Sequence, residues 1–115
     1  MEQLNKVELR GNIGSVRCSE YGDRVVVNFT MATTAARSGK DGKPLVETTW
    51  HVVNAWQNRS MPDLKLLAKG MPVSVTGRIR SNRFTGADGV ERTSQEIQAY
   101  SLRIEEESMR AENLL

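Results

Sequence analysis

Both tryptophans of the chain lie in one short segment, T-T-W-H-V-V-N-A-W, Thr48 to Trp56. With the two-residue period of a strand, Thr48, Trp50, Val52, Asn54 and Trp56 share one face, while Thr49, His51, Val53 and Ala55 share the other. The first face is too polar for a core and too aromatic for an ordinary solvated surface, so it reads as a platform on which flat groups stack. The alternative use of the same indoles is as packing anchors, since tryptophan is highly buried on average. A second row follows on V-S-V-T-G-R-I-R-S-N-R-F. If Val73, Val75, Gly77 and Ile79 point inward, Ser74, Thr76, Arg78, Arg80, Asn82 and Phe84 point outward. Guanidinium groups beside an aromatic ring offer cations to phosphates and a flat apolar face to an unpaired base, each stacked base being worth about 1–3 kcal/mol. Arg83, Arg92, Lys40 and Lys43, in or beside the flanking hairpins, extend the positive track. For the arginines the competing use is a solvated strand face that discourages edge pairing, and for Phe84 a hairpin contact.

Other chemistry has little to work with. His51 is the only histidine and Cys18 the only cysteine, so one chain can assemble neither a Cys/His metal cluster nor a histidine-based triad. Glu105 to Glu107 are consecutive, a poor geometry for a carboxylate metal site. No catalytic residue, metal or cofactor is expected, and His51, opposite the tryptophans, is assigned to the core or to a subunit contact. The net charge of +2 conceals an asymmetry: 15 of the 16 Lys and Arg but only 10 of the 14 Asp and Glu fall in residues 1–104. A basic body favours a polyanionic partner. The lone cysteine excludes an internal disulfide and suits a reducing cytoplasm. No apolar run approaches the roughly 20 residues of a membrane span, and M-E-Q-L-N-K-V lacks the pattern of a secretory signal.

The elements that must hold these rows are strands. Val7, Leu9, Gly11 and Ile13 alternate on a first strand beginning near Leu4, Tyr21-Gly22-Asp23 turns the chain, and Val25, Val27, Phe29 and Met31 point inward on a second. Ser38 to Pro44, S-G-K-D-G-K-P, is expected to be a flexible basic connection. After Trp56, Ser60 or Met61 as cap, Pro62 in the first turn and Gly70 as stop predict a two-turn helix. Gly86 to Gly89 then turns the fourth strand into a fifth. Five strands with one short helix between the third and fourth is the order of an all-β OB-fold, a five-stranded Greek-key barrel whose face and loops bind oligonucleotides or oligosaccharides. No internal repeat is evident. The expected division is a binding domain over residues 1–104 and a short acidic extension over 105–115.

From Leu4 to Ile104 the chain resembles the bacterial single-stranded DNA-binding proteins. L-N-K-V-E-L-R-G-N-I-G, T-T-W-H-V-V-N-A-W, L-L-A-K-G-M-P-V-S-V-T-G-R-I-R and G-V-E-R-T stand in the order and spacing of that family. The resemblance implies base stacking at Trp50, Trp56 and Phe84 beside basic side chains. It also implies a homotetramer in which N-terminal strands pair between subunits, with the nucleic acid wrapped outside. A further stacking aromatic is common in the family before the Lys40 loop, but T-T-A-A-R-S-G-K offers only Ala35 and Ala36 there. The family's long Gly-, Pro- and Gln-rich tail, whose acidic tip recruits replication and repair proteins, has no counterpart in E-E-E-S-M-R-A-E-N-L-L, so tail-dependent partners are not expected. The function expected is coating of single-stranded DNA in replication, recombination or repair. The rivals are a tail-less primosomal accessory protein, with DNA contact secondary to protein contact, and an oligosaccharide-binding OB domain.

Overall fold

A computed structural model describes residues 1–105. Five strands, β1 (Val7–Tyr21), β2 (Arg24–Ser38), β3 (Pro44–Trp56), β4 (Pro72–Thr85) and β5 (Glu91–Ile104), enclose one core. Alternation decides most of what fills it: Val27, Phe29 and Met31 from β2, Val53 and Ala55 from β3, Val73 and Val75 from β4, and Ile97 and Ala99 from β5, where the register shift at Tyr100 brings Leu102 inward next. Ile13, Leu64 and Leu67 complete the cluster, with Val25 packed at its rim. The strands close in the order β1-β2-β3-β5-β4. All neighbours are antiparallel except β3 and β5, which pair in parallel over Val53↔Ile97, Asn54↔Gln98 and Ala55↔Ala99. That is the expected OB-fold.

Closure makes β1 serve two partners, β4 over Val7–Asn12 and β2 over Asn12–Tyr21, with an irregularity between Ile13 and Val16. Backbones crowd where a strand changes partner. A Cβ on Gly11 would overlap the carbonyl oxygen of Ala32, and one on Gly77 the carbonyl oxygen of Gln98. Only glycine admits such an approach.

Beyond the barrel, two hairpin arms run on. Burial ends at Thr33 on β2 and returns at His51 on β3; it ends at Gly77 on β4 and returns at Glu96 on β5. Ile79 is therefore not an inward residue as expected but 45% exposed. At that point β4 has left β1, whose pairing begins at Val7↔Gly77. Ser38 to Pro44, expected as a connection between strands, is a tight hydrogen-bonded turn. β2 and β3 stay paired to Ser38↔Pro44, and the turn is closed by Gly39 N–H to Lys43 O (2.7 Å), Gly42 N–H to Gly39 O (3.0 Å) and Lys43 N–H to Asp41 Oδ1 (3.0 Å). The other arm ends identically: Gly86 N–H donates to Val90 O, Gly89 N–H to Gly86 O, and Val90 N–H to Asp88 Oδ1. G-K-D-G-K and G-A-D-G-V are one turn used twice, with Gly42 and Gly89 both at φ 79°.

The expected two-turn helix is a single 3-10 turn, Leu64–Leu66, capped by Asp63 rather than by Ser60 or Met61. Gln57 shortens it by holding both sides, donating from Nε2 to Pro62 O (2.8 Å) and accepting at Oε1 from Leu64 N–H (2.8 Å). The sharp return needs Gly70, at φ 89°. The acidic extension lies outside the described residues except for Glu105. That carboxylate accepts from Ser74 Oγ and faces Arg10 Nε at 3.8 Å, fastening the end of β5 to β4 and β1. The Ser74 hydrogen bond, with Arg10 and Arg103 nearby, holds its pKa below the usual carboxylate range against a smaller opposing effect of burial. A depressed folded-state pKa contributes stability above the carboxyl's ordinary value and loses it as pH falls through the folded value. Glu105→Gln is thus expected to be less stable than the parent at neutral pH, by a margin that closes on acidification. Urea titrations across pH check this, and a constant margin would exclude the carboxylate's charge as the cause.

Candidate nucleic-acid interface

The outer face of β1, β2 and β3 is where the expected platform stands. Directly opposed pairs share a face, so Tyr21↔Arg24, Arg17↔Asn28, Thr30↔Val52, Asn28↔Asn54 and Val26↔Trp56 carry one surface across three strands. Trp50 is 61% exposed. Its six-membered ring sits on Gly14, where a Cβ would overlap Trp50 Cζ3 and crowd Thr30 Oγ1, so the glycine lets the indole lie down on the sheet. Beside it runs a groove of about 290 Å³ lined by Ser15, Arg17, Asn28, Thr30 and Val52. Its polar floor is fixed: Asn54 Nδ2 donates to Asn28 Oδ1 (2.8 Å), and Thr30 Oγ1 accepts from Ser15 N–H (3.0 Å).

Trp56 stands about 20 Å farther along the strand at 3.3 Å per residue, and it is half-buried. The Arg24 guanidinium carbon lies over its ring, 4.4 Å from the centroid, and the Tyr21 ring is 6.0 Å away, tilted by 33°. Val26, opposite Trp56, is 3% exposed although it is outside the core cluster, so this group of side chains covers it from outside. Trp50 is therefore open to solvent, whereas Trp56 is half-buried and packed against Arg24 and Tyr21. Arg17, Arg24 and Asn28 join this face beyond the sequence expectation, as does Tyr21, which the sequence marks only as part of a turn. The alternation of β2, with Val27, Phe29 and Met31 inward, already implies that Arg24, Asn28 and Thr30 face out.

The second row lies on the β4–β5 arm. Phe84 is 47% exposed. Arg78 forks onto Gln98, with Nε and Nη2 at 3.2 and 3.0 Å from Oε1, and Arg80 is in no ion pair among the described residues. Arg83 and Arg92 differ: they face Glu91 at 2.9 Å and Asp88 at 2.6 Å, so a phosphate must displace a carboxylate to reach them. Lys40 and Lys43 are exposed at the tip of the β2–β3 arm. The nine residues expected to form one site are thus spread over the barrel face and both arms, a long track rather than a pocket. Where the arms part, Trp50, Val52, Ile79, Glu96 and Ile97 line a cleft of about 230 Å³. His51 borders it, half-buried, with Nε2 at 2.9 Å from Thr33 Oγ1. Among the described residues there is no group of three or more His, Cys, Asp or Glu side chains placed to hold a metal ion, and no helix is long and apolar enough to cross a membrane.

Residues 4–104 match the family model described as Single-strand binding protein family. The Single-stranded DNA-binding protein of Xylella fastidiosa (strain Temecula1) is 35% identical over 103 residues, covering 88% of this chain and 63% of that protein. Its namesake from Neisseria meningitidis serogroup A is 34% identical over 104 residues, covering 88% and 59%. The chain spans less than two thirds of the length of either. Single-stranded DNA-binding protein 1 of Xylella fastidiosa (strain 9a5c) is 32% identical over 108 residues, covering 90% of this chain and 79% of that protein. Among solved structures, a Plasmodium falciparum SSB complex with ssDNA has the same fold, with a TM-score of 0.78 at 23% identity over 92% of this chain and 98% of that one.

Proposed function

The chain belongs to the single-strand binding protein family, and from that premise we propose that it coats single-stranded DNA with little sequence preference, in replication, recombination or repair. One observation carries the reading: the Trp50 indole lies on Gly14 with most of its surface in solvent, on a face shared with Trp56 and with Arg17, which is in no ion pair among the described residues. Bases stack on such rings only when unpaired, and cations along the face draw the phosphates. Binding, not catalysis, is its work, in a cytoplasmic setting that the lone Cys18 suits. Oligo(dT) is expected to bind far more tightly than duplex of equal length, with quenched tryptophan emission and log affinity falling by about 0.7 per phosphate neutralised for each unit of log salt. Equal affinity for duplex would sink the platform. Affinity that ignores salt would instead favour a carbohydrate-binding or protein-interaction module.

We further propose a homotetramer. β1 over Val7–Gly11 pairs only with β4, leaving an open strand edge, and Leu4 and Ile79 are apolar and exposed beside it, the latter held by Asn5 through Nδ2 to Ile79 O (2.8 Å) and Ile79 N–H to Oδ1 (2.9 Å). An open edge and an apolar patch are what subunit pairing covers. The face bordered by His51 is the second contact. Sedimentation at micromolar concentration is expected to give about four times 12.9 kDa; a monomer would refute the assembly, and a stable dimer would leave only the strand contact.

A further inference from the structure

We infer that Arg24 is a nucleic-acid contact in its own right, forming with Trp56 and Tyr21 one composite stacking site that carries the strand over the tip of the β1–β2 hairpin. This rests on the DNA-binding reading above. The sequence places Arg24 just after the Gly22-Asp23 turn, and the register sets it opposite Tyr21 and two residues before Val26, the partner of Trp56. Its guanidinium lies 4.4 Å over the indole centroid, and the tilted Tyr21 ring, 61% exposed, flanks the indole at 6.0 Å.

The chemistry follows from that posture. A guanidinium carries its five N–H donors in its own plane. Stacked on a ring, it keeps its second flat face open to a base and its N–H edge open to phosphate, whereas an arginine held by a carboxylate has spent that edge. Arg37, Arg83 and Arg92 are so held, by Glu47, Glu91 and Asp88. Arg24 appears in none of the ion pairs among the described residues, although Asp23 precedes it; nearby Glu20 is taken by Lys65 at 2.7 Å. The face of Trp56 beneath Arg24 is not available to a base directly. The cation lying on it takes that role and adds a charge, so that the track from Trp50 through the Arg17 groove continues past Trp56 instead of ending there.

The test separates charge from stacking. Oligo(dT) affinity of the full chain is measured over a salt series for the parent, Arg24→Ala, Arg24→Lys and Trp50→Ala. Arg24→Ala is expected to weaken binding about tenfold and to lower the salt slope by about the 0.7 of one phosphate. Arg24→Lys is expected to restore the slope but not the affinity, because an ammonium keeps the charge and lacks the flat fork. Parent-like affinity of Arg24→Lys would reduce Arg24 to a point charge and overturn the composite site. Parent-like binding by both Arg24 variants while Trp50→Ala is weakened would remove Arg24 from the path and leave the DNA-binding reading intact. Failure of the parent itself to bind with a salt dependence would remove that reading as well.

Discussion

Trp50→Ala is expected to weaken oligo(dT) binding by about 1–3 kcal/mol, roughly 5- to 150-fold, while the protein stays folded. The indole lies on Gly14 at the outside of the barrel and is not a member of the core cluster. Phe84→Ala belongs to the same class, since that ring stands 47% exposed on an arm outside the barrel. Trp56→Ala is different. It removes the cover from Val26 and the seat of Arg24, so it is expected to lower stability along with affinity. Fluorescence titration and urea unfolding on the three variants distinguish these outcomes. If Trp50→Ala unfolds, the ring is an anchor; if it binds as the parent does, the face is not a platform.

The division between Trp50 and Trp56 shows how far residue order could be read. A period of two on β3 and β4 puts Val73 and Val75 inward and sets Val53 and Ala55 on the face opposite both indoles, but it leaves open whether those indoles are platform or packing anchor. Periodicity says which face a side chain takes but not which side chains of other strands share that face. The cation over Trp56 comes from β2 and depends on the register Val26↔Trp56, a tertiary fact. The same limit explains Ile79. Its alternation is that of a core residue, but the barrel has ended at Gly77, where β4 leaves β1, so inward there means into the cleft between the arms. The helix between β3 and β4 is present but shorter than expected, because Pro62 and Gly70 mark ends without specifying length, and the Gln57 side chain takes hydrogen bonds a longer helix would use. The twin turns were visible as G-K-D-G-K and G-A-D-G-V, but their common glycine conformation is a property of the backbone.

Gly77→Ala is expected to act on the fold itself, lowering stability by about 3 kcal/mol, with a melting temperature lower by on the order of 10 °C. Gly77 is the buried residue of β4 at which three strands meet. It pairs with Val7 of β1 and Ala99 of β5, beside the point where Tyr100 is the extra residue of β5. A methyl group there meets the carbonyl oxygen of Gln98 and the Cα of Ala99, both backbone atoms of the neighbouring strand. Neither can rotate away, so relief requires β4 and β5 to separate where they close the barrel and launch the arm that carries Phe84. Gly14→Ala makes the informative contrast, because its methyl group meets the ring of Trp50 and the hydroxyl of Thr30, which are side chains. The indole can tilt off the sheet at little cost to folding, but a tilted ring no longer presents its face along the groove. Gly14→Ala is therefore expected to unfold within about 1 kcal/mol of the parent while binding oligo(dT) about tenfold more weakly. Should Gly14→Ala lose stability and keep affinity, with Gly77→Ala doing the reverse, the assignment of one glycine to the platform and the other to barrel closure would have to be exchanged.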